Sequence, residues 1–260
     1  MDSGSWMTSL HYEKLENEPK EIGIEILDAS GKVLRNYSKA EMALNFGKDG
    51  GVNSGLNKFV WDMRINKLSS VPKRPGTAVI PIVTPGKYTV KLTVDGTEES
   101  QDFEIFMSPK ENYSQTQSDA KFAFWMDMYN TAENSIQNVI SALKVRDDAK
   151  AKLETFKTSG AKSRSISKAE KQYASIEAIV NTYEGTYVST GRTLAEVINL
   201  PATILFKMSF MSGILDHSEG PVSQSMKTEF EQLKVEDKAA TEQYEKDIAK
   251  TLEKFEKMLQ

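Results

Sequence analysis

No cysteine occurs in the 260 residues. Disulfides, thiolate zinc sites and thiol nucleophiles are excluded by that alone. Only two histidines are present, His11 and His217, too few for a transition-metal site built on imidazole. No part of the chain is basic. Lys plus Arg number 13 in residues 1–108 and 20 in 109–260, against 15 and 22 for Asp plus Glu, so each part sums to −2. That balance offers no electrostatic footprint for nucleic acid. No long apolar run exists either. The nearest, Leu194 to Leu215, is interrupted by Glu196, Asn199, Pro201 and Lys207, so no membrane span is expected. The opening MDSGSWMTSLHYEK has no basic n-region and no apolar h-region, so no signal peptide is expected in it.

What is present changes character near residue 110. Before it, apolar residues alternate with period two. Ile22, Ile24 and Ile26 share one face of a strand; Asp28 to Gly31 makes a turn, and VLRNY returns. Tyr88, Val90, Leu92 and Val94 share a face of a second hairpin, which Pro85-Gly86 opens and Asp95-Gly96 turns. This pattern predicts an antiparallel β domain of about seven strands over 1–108. A sandwich is the expected form, because an apolar sheet face needs a second layer. After the polar segment SPKENYSQTQS (108–118), read as a short linker, the period becomes helical. Four stripes follow: Phe122, Trp125, Tyr129, Ala132, Ile136, Val139, Leu143; Ala169, Tyr173, Ile176, Val180, Tyr183; Ile204, Met208, Met211, Leu215; Ala240, Tyr244, Ile248, Leu252, Phe255, Leu259. Ser167…Glu170 and Thr193…Glu196 fit capping boxes, and Pro201 and Pro221 suit first helical turns. The fold class expected is α+β in two domains: an Ig-like β-sandwich over 1–108 and an all-α antiparallel bundle of about four helices over 109–260. The same spacing also suits an intermolecular coiled coil, although four stripes in one chain favour the bundle.

Few polar constellations invite a chemical reading. In LNKFVWDMR (56–64) a continuing strand would place Phe59, Trp61 and Met63 on one face, with Lys58, Val60, Asp62 and Arg64 on the other. Phe59 and Trp61 are then core, together with Tyr88 and, in the helical part, Trp125. Asp62 and Arg64 are the only ligand-groove candidates, and weak ones, because opposite charges two apart on a strand are ordinary. Asp216-His217-Ser218 spells three triad residue types, but neighbours on a helix point about 100° apart and no nucleophile elbow exists. GKDGGVNSG (47–55) lacks the Lys-Ser/Thr ending of a phosphate loop. Glu98-Glu99 lies just past a turn, where carboxylates are solvated rather than paired for glycoside hydrolysis. Asn36-Tyr-Ser38 and Asn112-Tyr-Ser114 match the glycosylation acceptor pattern. Tyr113, Tyr183 and Tyr187, near element ends, are the aromatic candidates for a sugar-stacking surface. No catalytic residue, metal ligand or cofactor site is expected.

The run GLNKFVWDMR, a proline-rich gap, then PGKYTVKLTVDG resembles a pattern G-x-N-x-F-x-W-D-x-R followed by P-G-x-Y-x-V and a D-G hairpin. That pattern belongs to the Ig-like domain after the propeller of bacterial sortilin-like, BNR-repeat proteins, often labelled glycosyl hydrolases. The flagellar hook-capping protein's Ig-like domain shares its core. EIGIEILDASGKVLRNY is similar to the preceding hairpin, and residues 199–226 to the L-N-x-P helical segment. The resemblance covers nearly the whole chain except for the propeller, which is missing, and any hydrolytic or sugar site would lie there. It implies structural roles: Trp61 and Tyr88 in the sandwich core, Pro85-Gly86 as a turn, Pro201 and Pro221 as helix starts. The implied function is a non-catalytic region that braces or presents a propeller, or docks another protein, in the cell envelope or outside the cell. A carbohydrate-binding or adhesin-like module is the alternative, a glycoside hydrolase the lesser one.

Overall fold

A computed structural model describes residues 7–11, 19–43, 56–74, 76–109, 114–189 and 202–260. Within them six strands precede four long or medium helices: β1 (Met7–His11), β2 (Ile22–Asp28), β3 (Val33–Ser38), β4 (Leu56–Val60), β5 (Gly86–Val94) and β6 (Thr97–Ile105), then α2 (Gln115–Thr158), α3 (Ser163–Tyr187), α4 (Ile204–His217) and α5 (Gln224–Leu259); a five-residue helix, α1 (Lys39–Ala43), follows β3. The class is α+β. A four-stranded antiparallel sheet has the order β3-β2-β5-β6, and β1 pairs with β4 separately.

The sheet follows from its turns. Asp28 Oδ1 accepts from the Ser30 amide at 2.9 Å and the Lys32 amide at 3.0 Å, while Gly31 takes φ +83°. That side-chain turn folds β3 back on β2. Asp95 and Gly96 have φ of +46° and +85°, the left-handed pair that a two-residue hairpin needs. Asp95 also accepts from the Glu21 amide at 2.8 Å, which ties the hairpin to the start of β2. In the resulting register Ile22, Ile24 and Ile26 face Val94, Leu92 and Val90. The apolar alternation thus becomes one buried face, where Ile22, Ile24, Ile26, Tyr37 and Leu92 cluster with Phe59 of β4. Phe59 meets Tyr37 edge to face at 4.7 Å.

The helices start and stop for local reasons. Ser114 Oγ accepts from the Gln117 amide, and Gln117 Oε1 accepts from the Ser114 amide at 2.9 Å, a reciprocal cap. The helix therefore begins inside the stretch read as a linker. Thr203 and Ser223 cap α4 and α5, so Pro221 stands before a cap rather than in a first turn. Ser167 and Glu170 lie inside α3, which starts at Ser163 without a side-chain cap. The Thr193…Glu196 box and Pro201 fall outside the described residues. The apolar stripes are buried at Trp125, Ala132, Ile136, Val139, Leu143, Ala169, Ile176, Val180, Tyr183, Met208, Leu215, Ile248 and Phe255. Contacts 146 to 181 and 157 to 170 run α2 antiparallel to α3. Contacts 187 to 237 and 172 to 251 run α3 antiparallel to α5.

The chain forms two compact units that are not contiguous in sequence. One takes the described residues of Met1–Asn66, Ile80–Ala123 and Glu219–Pro221; the other takes those of Lys67–Val79, Phe124–Ser218 and Val222–Gln260. Beside the linear division at 108/109, residues 67–79 belong with the helices, where Leu68, Val71 and Val79 are buried.

Candidate functional site

The stretch Trp61–Arg64 is a turn, not a strand. β4 ends at Val60, and Met63 adopts φ +59°, which no strand accommodates. Phe59, Trp61 and Met63 therefore do not share a strand face, and Asp62 and Arg64 do not form one opposite. Asp62 Oδ1 accepts from the Arg64 amide at 3.1 Å, and the Trp61 indole donates to the Arg64 carbonyl at 2.9 Å. The Arg64 guanidinium donates to the Ile80 carbonyl at 3.0 Å, beside a bridge between Arg64 and Ile82. The Trp61 indole, Asp62 Oδ1 and Arg64 Nη1 thus each bond backbone of their own chain. The Trp61 ring, half-buried, packs edge to face on Tyr88 and Phe103, each at 6.1 Å. Tyr88 is buried, and its hydroxyl donates to the Thr84 carbonyl. Burial, with the Asp28 and Asp119 charges, pushes its pKa up to about 12.

In the helical unit the polar groups pair across elements. The Trp125 indole, buried, donates to Ser212 Oγ at 2.8 Å. Ser135 Oγ reaches Asp237 Oδ1 at 2.7 Å. The Tyr187 hydroxyl donates to the Asp237 carbonyl at 3.1 Å and meets Thr241 Oγ1 at 3.2 Å; Tyr183 meets the same oxygen at 3.0 Å. Tyr183 stacks on Tyr244 at 4.3 Å. Burial raises the Tyr187 phenol strongly and lifts Tyr244 to about 12. Tyr183 and Tyr187 are core residues, so neither offers a sugar platform; Tyr113 lies outside the described residues. Tyr187 was legible as core, since it stands four residues beyond Tyr183 on the same stripe.

Two carboxylates were not foreseen. Glu184 is buried and meets Arg74 Nε at 2.7 Å. Glu133 accepts from the Ser69 amide at 2.8 Å, the Ser69 hydroxyl at 2.6 Å and Gln137. Burial opposes its charge, but these donors hold its carboxyl below the usual range. Both partners come from 67–79, and that segment's Ala78 amide donates to Ser209 Oγ. No spacing rule links residues so far apart in sequence.

The remaining candidates are accounted for locally. His217 Nδ1 lies 2.9 Å from the Gly213 carbonyl, and Ser218 Oγ donates to the Leu215 carbonyl. Glu98 pairs with Lys91 at 3.3 Å, and Glu99 lies on the opposite face. Tyr37 of the first acceptor pattern is buried, and the Asn36 amide donates to Asn66 Oδ1. His11 lies in β1 without a described side chain; Asn112 and residues 47–55 lie outside the described residues.

Among the described residues no group of three or more His, Cys, Asp or Glu could hold a metal ion, and no helix is long and apolar enough to cross a membrane. No buried side-chain nitrogen or oxygen there lacks a hydrogen-bond partner. A groove of about 450 Å³ runs on the sheet along Lys87, Thr89, Asp102 and Glu104. Another of about 640 Å³ runs along Phe210, Gly213, Ile214 and His217 of α4. The chain matches no protein-family model, no curated protein and no solved structure.

Proposed function

We propose that this chain is a non-catalytic structural and interaction region, an Ig-like sandwich joined to a helical bundle. In this reading β1 and β4 are the second layer over the four-stranded sheet. The observation that carries it is the Trp61–Arg64 turn, where the Trp61 indole, Asp62 Oδ1 and the Arg64 guanidinium bond backbone of the same chain. The resemblance to the region behind the propeller of sortilin-like proteins supplies the role: to brace or present that propeller, or to dock another protein, in the envelope or outside the cell. No catalytic residue and no cofactor enters this reading. The glycan-binding alternative has less to rest on, because Tyr183 and Tyr187 are buried.

The test is the size of the native polypeptide, by immunoblot of source cells with an antibody against this chain. The reading expects a band several times larger than the 29.1 kDa of these residues. A single band at that mass would remove the propeller from the account and turn attention to free-standing partners.

A further inference from the structure

The two edges of the four-stranded sheet are treated differently. The β3 edge is short and closed: the Asn66 amide donates to the Leu34 carbonyl at 2.9 Å, and Asn66 Oδ1 accepts from the Asn36 amide at 3.0 Å. A register shift at Ile26/Leu27 further breaks its pairing with β2. The β6 edge is long and regular. Its nine residues pair with β5 from Gly86↔Ile105 to Val94↔Thr97 without a shift. Among the described residues no backbone group beyond β5 bonds to it.

A two-residue turn makes its flanking residues, Val94 and Thr97, a hydrogen-bonded pair, and such pairs alternate along an antiparallel ladder. Odd-numbered residues of β6 therefore bond to β5. Glu98, Ser100, Asp102 and Glu104 turn their peptide groups outward. A straight edge of this kind is a template for another strand.

Charge selects the occupant. β6 carries Glu98, Glu99, Asp102 and Glu104 and no Lys or Arg. Glu98, Asp102 and Glu104 share one face of the sheet with Glu25; the cations there are Lys87 and Lys91, and Lys91 already holds Glu25 at 2.7 Å and Glu98 at 3.3 Å. The face keeps a surplus of carboxylate. A second copy pairing antiparallel about Gln101 would set Glu98 against Glu104, and like charges directly opposite destabilise a sheet. No register of the strand with itself brings a cation to an acid. On the other face Phe103 borders the Trp61–Tyr88 aromatics.

We propose that β6 is a docking edge that accepts an extended segment of another protein as a fifth strand. The segment carries Lys or Arg at alternating positions on one face and an apolar residue toward Phe103 on the other. This deepens the interaction reading by naming a surface and the chemistry of its partner.

The probe is a synthetic peptide, acetyl-KVKVTVKFK-amide, titrated by fluorescence anisotropy and by amide hydrogen exchange on the full chain. Saturable binding is expected, weakening at least tenfold between 50 and 300 mM salt, with new protection at the Glu98, Ser100, Asp102 and Glu104 amides. Ser100→Pro removes an outward donor without touching the β5 ladder and should abolish binding. If that variant does not fold, the same peptide N-methylated at alternate residues replaces it and should not bind. Equal binding by either, or binding without protection at those amides, would reduce the effect to loose charge attraction and overturn the proposal. Absence of binding by the unmodified peptide at millimolar concentration, or dimerisation of the chain through β6, would overturn it too. None of these outcomes bears on native size, so a large native polypeptide with an inert β6 would keep the interaction reading and move its surface elsewhere.

Discussion

The turns of the sheet unit close over a few residues, although that unit also holds distant bonds such as Glu21 to Asp95 across 74 positions, whereas the docked faces of the helical unit are held by bonds between distant residues. In the sheet unit Asp28 serves Ser30 and Lys32, Asp62 serves Arg64, Trp61 serves Arg64, and Tyr88 serves Thr84; none of these pairs spans more than 4 residues. In the helical unit Trp125 reaches Ser212 across 87 positions, Ser135 reaches Asp237 across 102, and Arg74 reaches Glu184 across 110. The first kind of bond shapes a turn before any tertiary contact exists. The second kind forms only when helices have docked, so it specifies which faces meet.

Breaking that comparison starts with its most distant pair. Arg74→Ala should lower the unfolding free energy by about 3 kcal/mol, because it strands the buried Glu184 carboxylate. Lys91→Ala, which removes two half-buried to exposed ion pairs on the sheet, should move the denaturation midpoint far less. Guanidinium titration of both variants measures the contrast. Equal midpoints would mean that segment 67–79 contributes little to the helical unit.

Glycine exchanges sharpen it at smaller scale. Gly96→Ala forces a side chain onto φ +85° and should cost about 1 kcal/mol. Gly185→Ala lies inside α3 with open space around the new methyl, and should gain about 0.5–1 kcal/mol. Melting temperatures moving in opposite directions would confirm that the hairpin needs its glycine and the helix does not.

Titration gives the gentlest effect, with opposite signs at the two ends of the pH scale. Burial works against the Asp28 charge too, but donors from Ser30 and Lys32 keep its pKa low, as Ser69 does for Glu133. The unfolded chain therefore takes up protons first as pH falls, and stability declines below the ordinary values of 3.8 and 4.5. Tyr88 and Tyr244 are raised from 10.0 to about 12. The unfolded chain loses its phenolic protons first, so stability falls as pH climbs from 10 toward 12. Urea midpoints across both windows check the two slopes.

The same difference in reach explains what the sequence disclosed. Asp28 to Gly31 and Asp95-Gly96 are legible because the turn chemistry lies within the turn. The helical stripes are legible because periodicity needs no partner. The end of β4 is hidden, since Trp61 and Met63 continue an alternation that only the positive φ of Met63 interrupts. The Ser114…Gln117 cap is a readable motif inside a stretch that composition alone marks as linker. Glu133 and Glu184 have partners 64 and 110 residues away, where no local pattern reaches.

The claim on which the functional reading turns is that Asp62 holds its own backbone. The most direct measurement is equilibrium unfolding of Asp62→Ala in guanidinium. Loss of the bond to the Arg64 amide should lower stability by about 1 kcal/mol with an unchanged m-value. A variant as stable as the parent would contradict the account and leave the exposed Asp62 carboxylate as a ligand-groove candidate.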